Sequence, residues 1–274
     1  MALYSNSLQV IRHYLSAAMG DLISGTAGSG TSTTLVSTLL RKADDYYNNH
    51  HYRCYIYAGT NIGEEREVSD WTLTSPANTL TLAPAYTAAI DNTSKYELHH
   101  IFNEDEYRKA INMGIESMAG KYLANLVDDT TITLVADTYE YALPTNFLYL
   151  HRVTTEKEVA GDEFDASDEV DVRDWSIIKA YPPMLKLHED RYSITAGKDL
   201  RLEGYGTQAI VSADTDTIYL PPKWLVAEAI LSLPHSKVES NNLDGVLAQA
   251  SRDVITYRLT ERNYPHPRAR KIVE

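Results

Sequence analysis

One cysteine in 274 residues, Cys54, excludes an intrachain disulfide and leaves no companion thiolate for a zinc site. Cys54 itself reads as a small strand residue. Positive charge is also short: 25 Lys and Arg face 38 Asp and Glu, a formal net charge of −13. That balance argues against a protein that grips nucleic acid by neutralising phosphates. No apolar run is long enough to cross a bilayer, so no membrane partner is expected. The opening MALYSNSLQVIRHYLSAAMG lacks a basic leader before an apolar core and reads as mature structure of a soluble, cytoplasmically made protein. Phenylalanine is scarce, three residues against twenty tyrosines. Tyrosine joins a large contact area to a polar tip, which suits surfaces that are wet alone and buried in an assembly.

What is present is enough for a core: 43% of the residues are hydrophobic, consistent with one large or two ordinary domains. The stretch GTAGSGTST from Gly25 has the spacing of a phosphate-binding loop except that Thr31 stands where the lysine belongs. Without that ammonium the loop loses its electrostatic anchor, and the Thr-rich segment after it favours strand over helix. A Gly/Ser hairpin tip is the plainer reading.

From Ser7, a candidate N-cap, apolar residues Leu8, Ile11, Leu15, Ala18, Met19 and Leu22 recur at helical spacing. Residues 21–101 alternate Thr, Tyr and Val with polar residues between regular turn signals, which predicts a small all-β domain. Asn103 and Glu106 form a capping box ahead of a stripe from Tyr107 to Leu126, which predicts a long helix. Strand character resumes at TTITLVADTYEYALP, WSIIKA, RYSIT and KDLRLEGYG; helices are expected after Pro221–Pro222 and near Asn242. The expected fold class is α+β, a helical bundle with an inserted small all-β domain and additional strands before the C-terminal helices. Its expected segments are an N-terminal helix at 1–20, the β domain at 21–101, a helical/β core at 102–262 and a flexible tail at 263–274.

The candidate sites are few. The pairs His50–His51 and His99–His100 read as exposed strand-end residues, because neighbours in a strand point to opposite faces. Between Glu156 and Asp174 nine acidic residues face Lys157 and Arg173, a net −7. The spacing matches no calcium loop, so Asp162, Glu163, Asp165, Asp168, Glu169 and Asp171 are expected in a solvated loop facing a partner or a lumen. Arg262, Arg268, Arg270 and Lys271 form the one basic cluster, with Tyr264 among them; the tail is a solvated terminus or an arm that folds onto an acidic neighbour. No G-x-S-x-G elbow or supported Cys–His pairing is found, so no enzyme, catalytic residue, metal or cofactor is expected.

The segment from Asp44 to Leu98 resembles a module of tailed-bacteriophage virion proteins with the pattern G-T-N-x-G-x-x-R-x-V, a turn, T-L-T-x-x-P-A-[FY] and a closing Y-E-L. Gly59, Thr60, Asn61, Gly63, Arg66 and Val68 carry its first part, and Thr79, Leu80, Thr81, Pro84, Ala85 and Tyr86 its second. With AIN at Ala110, YALPTNF at Tyr141, and LRLEGYG leading to DTDTIYLPPKW, nearly the whole chain resembles the head–tail connector (adaptor, or neck) proteins of those phages. The resemblance implies a homo-oligomeric ring, usually of twelve subunits, at the head–tail interface of the virion. The ring docks on the portal protein, presents a surface to the next tail or neck protein, and lets genomic DNA pass without specific binding. It implies no catalytic residues; within that setting the basic terminus itself reads as an arm that orders against the portal on docking. Alternatives are another neck ring (stopper or tail terminator), a virion-surface receptor- or glycan-binding module, and a degenerate phosphate-loop NTPase or glycan hydrolase.

Overall fold

The computed structural model of the chain describes residues 4–74, 78–180, 182–261 and 270–272. In chain order the elements are β1 (Asn6–Ser7), α1 (Leu8–Ala18), β2 (Ile23–Thr26), β3 (Ser29–Gly30), β4 (Thr34–Val36), α2 (Tyr46–Asn49), β5 (Arg53–Ala58), β6 (Glu65–Thr72), β7 (Thr79–Ala83), β8 (Lys95–His99) and α3 (Glu104–Met118). Then come β9 (Ala124–Thr133), β10 (Glu140–Ala142), β11 (Phe147–Thr155), β12 (Trp175–Ile178), β13 (Met184–Leu187), β14 (Asp199–Gly206) and β15 (Thr217–Ile218). The last are α4 (Pro222–Leu231), α5 (His235–Ser240), α6 (Asp244–Thr260) and β16 (Arg270–Lys271). The described residues form two units, one from 4–117 and 210–257, the other from 118–209 and 258–272.

In the first unit a seven-stranded antiparallel sheet runs β2-β8-β5-β6-β7-β4-β3. Its outermost strands, β2 and β3, are separated in sequence only by Ala27 and Gly28. In a flat sheet six inter-strand steps would hold them roughly 29 Å apart, whereas two linking residues span at most about 11 Å. The sheet therefore curls into a barrel. Consecutive amides mark the seam: Ala27 N–H donates to Ser94 O at 2.9 Å on one side, and Gly28 N–H to Val36 O at 2.8 Å on the other. Closure removes the exposed edges that an open sheet presents. Leu35, Cys54, Ile56, Trp71, Leu80 and Tyr96 fill the interior.

The seam also explains the Gly25–Thr33 stretch. It is not one hairpin tip: Gly25 lies within β2 opposite Tyr96, and only Thr31–Thr33 turn the chain between β3 and β4. At Gly30 a Cβ would fall 2.1 Å from the Thr34 carbonyl oxygen, so the glycine permits a close backbone approach. The segment after it is strand β4, not the helix a phosphate loop requires.

In the same unit α1 and α3 start where their caps predict. The Ser7 side chain accepts from Val10 N–H at the start of α1, and Leu8, Ile11 and Leu15 are buried. Asn103 and Glu106 exchange side-chain-to-backbone bonds of 2.8 and 2.9 Å at the start of α3. Asn112 holds Val211 through two 2.9 Å bonds, and Ser117 Oγ donates to Glu228 of α4 at 2.7 Å.

The second unit holds two antiparallel sheets, β16-β11-β14-β9 and β10-β13-β12. Every second residue of β14 is buried, the signature of a sheet packed on one face. Leu150, Val153, Leu200 and Leu202 of one sheet share a core with Trp175, Leu185 and Leu187 of the other, a small sandwich.

The expected helical bundle is not what forms. Sixteen strands in four antiparallel sheets dominate the described residues, against six α-helices. The stripe from Tyr107 does not reach Leu126: α3 stops at Met118, Gly120 takes a φ of +73° just beyond it, and Ala124 already opens β9. Nor does α6 offer a bundle face, since only Ala250 and Val254 of its 17 residues are buried. The RYSIT segment, read as a strand, is irregular.

Candidate functional site

Arg12 projects from the buried stripe of α1 and is fully enclosed. Its Nε and Nη2 donate to the two oxygens of Glu97 on β8 at 2.9 and 2.8 Å, and its other edge forks onto Asp214. Tyr55 lies under the guanidinium, 4.5 Å from ring centre to Cζ, and its hydroxyl donates to Asp214 at 2.9 Å. Burial alone would push the Glu97 carboxyl up, but hydrogen bonds from Arg12, His13 and His99 override it and hold the group well below the usual carboxylate range. His99 balances in the opposite sense: burial lowers it, yet its bond to Glu97 leaves it raised above its ordinary value.

Beside this pair, Asp21 accepts three successive backbone N–H groups, from His100, Ile101 and Phe102, at 2.7, 3.0 and 2.9 Å, and the Tyr107 hydroxyl at 2.8 Å. Against the effect of burial, these donors and the His100 ring keep its carboxyl below the ordinary value. His99 is thus not an exposed strand-end residue, whereas His100, just past the end of β8, is exposed. His99 is fully buried, and both rings converge on Asp21, one on its carbonyl and one on its carboxylate, each at 2.8 Å. His50 and His51, like His100, are exposed. The sequence signal for this network was Arg12 itself, a charge standing on an apolar stripe four residues from Leu8. Its partners lie 85 and 202 residues away, beyond any local pattern.

A second cluster lies at one end of the barrel, where both halves of the G-T-N-x-G and T-L-T-x-x-P-A pattern meet. The Asn61 side chain donates to Ala88 O at 3.0 Å and accepts from Ala88 N–H at 2.8 Å. Thr60 donates to Asp91 at 2.9 Å, and bonds from Thr93 and Thr60 pull the Asp91 carboxyl down to about 2. Arg66 donates to Ala85 O at 3.1 Å, pairs with Glu64, and covers the Tyr86 ring at 5.0 Å; the Tyr86 hydroxyl donates to Cys54 O at 2.8 Å. Gly59, at φ +81°, brings its backbone so close to Thr93 that a Cβ would lie 2.3 Å from the Thr93 oxygen. These residues clip loops together; burial pushes the Cys54 thiol up to about 12, far from a reactive thiolate.

The acidic run is tied at its root to the second unit. Buried Glu156 accepts from Gly161 and Asp199 N–H, both at 2.8 Å. Asp162 accepts from Glu163 N–H at 3.0 Å and Asp165 from Ser167 N–H at 3.3 Å, while Ser167 donates to Asp168 at 3.3 Å. Glu169 pairs with Arg152 at 3.0 Å and bridges Thr154, and Val170 N–H donates to Val153 O at 2.9 Å, so the run returns to cover part of the β11 edge. Exposed Asp171 pairs with Arg173, which lowers its carboxyl.

The basic tail meets this region. Arg262, Tyr264 and Arg268 lie outside the described residues, but Arg270 and Lys271 form β16 on the β11 edge, opposite Leu150 and Tyr149. Arg270 stacks on the Trp175 ring at 4.3 Å and donates to the carbonyls of Trp175 and of Val172, the latter within the acidic run. Ile272 N–H donates to Leu148 O at 2.8 Å, and its side chain is fully buried. Residues 270–272 are therefore docked on the second unit, while the rest of the expected tail lies outside the described residues. Two sequence-predicted clusters, one acidic and one basic, come together here, although neither revealed the groove between β11 and Trp175.

Two open clefts accompany these clusters. One of about 820 Å³ lies in the second unit among Asp137, Tyr139, Glu140, Lys186, His188 and Asp190. The other, of about 510 Å³, lies beside the Arg12 network, lined by Tyr55, Glu104, Arg108 and Asp214. Among the described residues no group of three or more His, Cys, Asp or Glu is gathered to hold a metal ion, and no helix is long and apolar enough to cross a membrane. In comparisons with known proteins, no family model matches the chain and no curated protein matches it.

Proposed function

We propose that the chain is a structural subunit of a tailed-bacteriophage neck, a head–tail adaptor that assembles into a homo-oligomeric ring around the DNA passage. It joins the portal protein to the next tail component and performs no catalysis. The observation that carries this reading is the interlocking of the pattern residues at one barrel end. Thr60, Asn61 and Arg66 reach the loop from Ala85 to Ser94 through hydrogen bonds, Gly59 by its close backbone approach to Thr93, and their chemistry is spent on shape. The same holds for the charges of the buried network, which satisfy one another. A protein whose polar residues are committed to fixing loops acts through surfaces, and a ring subunit needs two such surfaces for its neighbours. Its acidic balance suits a passage that must not hold DNA.

The test is assembly. Purified chain mixed with portal rings is expected to appear in negative-stain microscopy as an added ring on the portal axis. A chain that stays monomeric and leaves portal rings bare defeats the proposal. A copy on the particle periphery, away from the tail axis, would favour the receptor-binding alternative instead.

A further inference from the structure

We propose that the β11 edge is a strand-receptor site whose occupant in the assembled ring is the C-terminal strand of a second copy of this chain. The inference rests on the ring reading above and adds the contact by which neighbours are linked.

The groove is built for a short strand with alternating needs. Ile272 enters the core, Lys271 points to solvent, and Arg270 returns to the inner side to lie on Trp175. Main-chain bonds to Leu148 and its neighbours supply affinity, while the Ile pocket and the aromatic shelf supply selectivity, the physics of strand addition at a sheet edge. Charge favours the same occupant. The rim carries the run from Glu156 to Asp174, net −7, and the incoming strand carries Arg270 and Lys271. Opposite potentials of this kind speed and orient docking.

Two observations point to a strand that changes hosts. Among the described residues its ladder with β11 comprises two registered pairs and the Ile272–Leu148 bond, a small seat. It also follows α6 after nine residues, 261–269, a length that spans up to roughly 34 Å when extended. In a ring every copy offers an identical groove, so a strand moved to its neighbour keeps each contact and links the subunits. A neighbouring groove in the ring is present at an effective concentration on the order of millimolar.

The test uses the full chain carrying Tyr149→Cys and Lys271→Cys. Because Ile272 and Leu148 form the hydrogen-bonded pair, the 149–271 pair is of the close kind, with Cα atoms about 4.5 Å apart, within disulfide reach. Both side chains reach the surface, and the native Cys54 is buried. Assembled rings are oxidised and run on a non-reducing gel. Exchange is expected to give a ladder of covalently joined chains, and to give dimers when chains bearing one cysteine each are mixed before assembly. Rings that form yet yield only cross-linked single chains overturn the exchange and leave the ring reading standing. Rings whose two thiols both remain free to alkylation, with the tails on the portal, overturn it equally. A chain that never assembles, judged by size-exclusion and microscopy, removes both readings at once.

Discussion

Arg12 and Arg270 each anchor a terminal element to a β structure, and they do so by opposite means. Arg12 is fully enclosed, and its acceptors are two carboxylates; bonds to Glu97 and Asp214 outweigh the effect of burial and raise its affinity for the proton. Among the described residues the partners of Arg270 are carbonyls and the Trp175 face, and burial lowers its pKa. Removing either partner of a buried ion pair strands a charge, whereas removing Arg270 leaves two neutral carbonyls and no unpaired charge. The first contact is therefore permanent and the second releasable.

The sharpest way to break this contrast is Arg12→Met. It leaves Glu97 and Asp214 with like charges in the interior, and the denaturant midpoint is expected to fall by an amount corresponding to about 3–5 kcal/mol. A midpoint within experimental error of the parent chain would mean the network is not a stability element. Acidification probes the same network more gently. Glu97 and Asp21 have folded pKa values below their unfolded ones, so their contribution is present above about pH 4.3 and lost as pH falls through the folded values. His99 runs the other way: its contribution is full below about pH 6.5 and is lost as pH rises through its raised folded value. Groups facing Glu97 come from α1 (Arg12, His13) and β8 (His99); Asp214 and Glu104 share Arg12 with it. A melting-temperature profile should peak between about pH 4.5 and 6.5, and His99→Asn should flatten its alkaline side. A profile unchanged by His99→Asn contradicts the assignment.

Arg270→Ala tests the releasable contact. It is expected to cost about 1 kcal/mol locally, read as roughly fivefold faster hydrogen exchange at the Ile272 amide, with the midpoint of the barrel unit unmoved. A global loss as large as that of Arg12→Met would erase the distinction. Smallest is Asn61→Ala, which opens the clip to Ala88 and should lower stability by about 0.5–1 kcal/mol. If that variant also abolishes ring assembly, the barrel end is itself a contact surface.

Much of the local structure was legible. Ser7, the Asn103–Glu106 box and Pro222 announced three helix starts, because a cap acts within one turn. The motif at Gly59–Val68 was legible as a pattern, though not as the clip it forms with Ala85–Ser94. Gly120, at φ +73° just past Met118, stops α3 short of the end of the apolar stripe at Leu126, a signal that the stripe's periodicity masks.

The sequence alone determined where turns, caps and alternating strands lie, since those are set by neighbours a few residues apart. It also determined the acidic balance and the scarcity of cysteine. Only tertiary structure decided that β2 and β3 close the barrel, that Arg12 meets Glu97 and Asp214 across 85 and 202 residues, and that Arg270 lands on Trp175 at a separation of 95. Such pairings carry no local periodicity: they arise because a buried charge or a sheet edge must find a partner somewhere, and the folded chain alone brings that partner within reach.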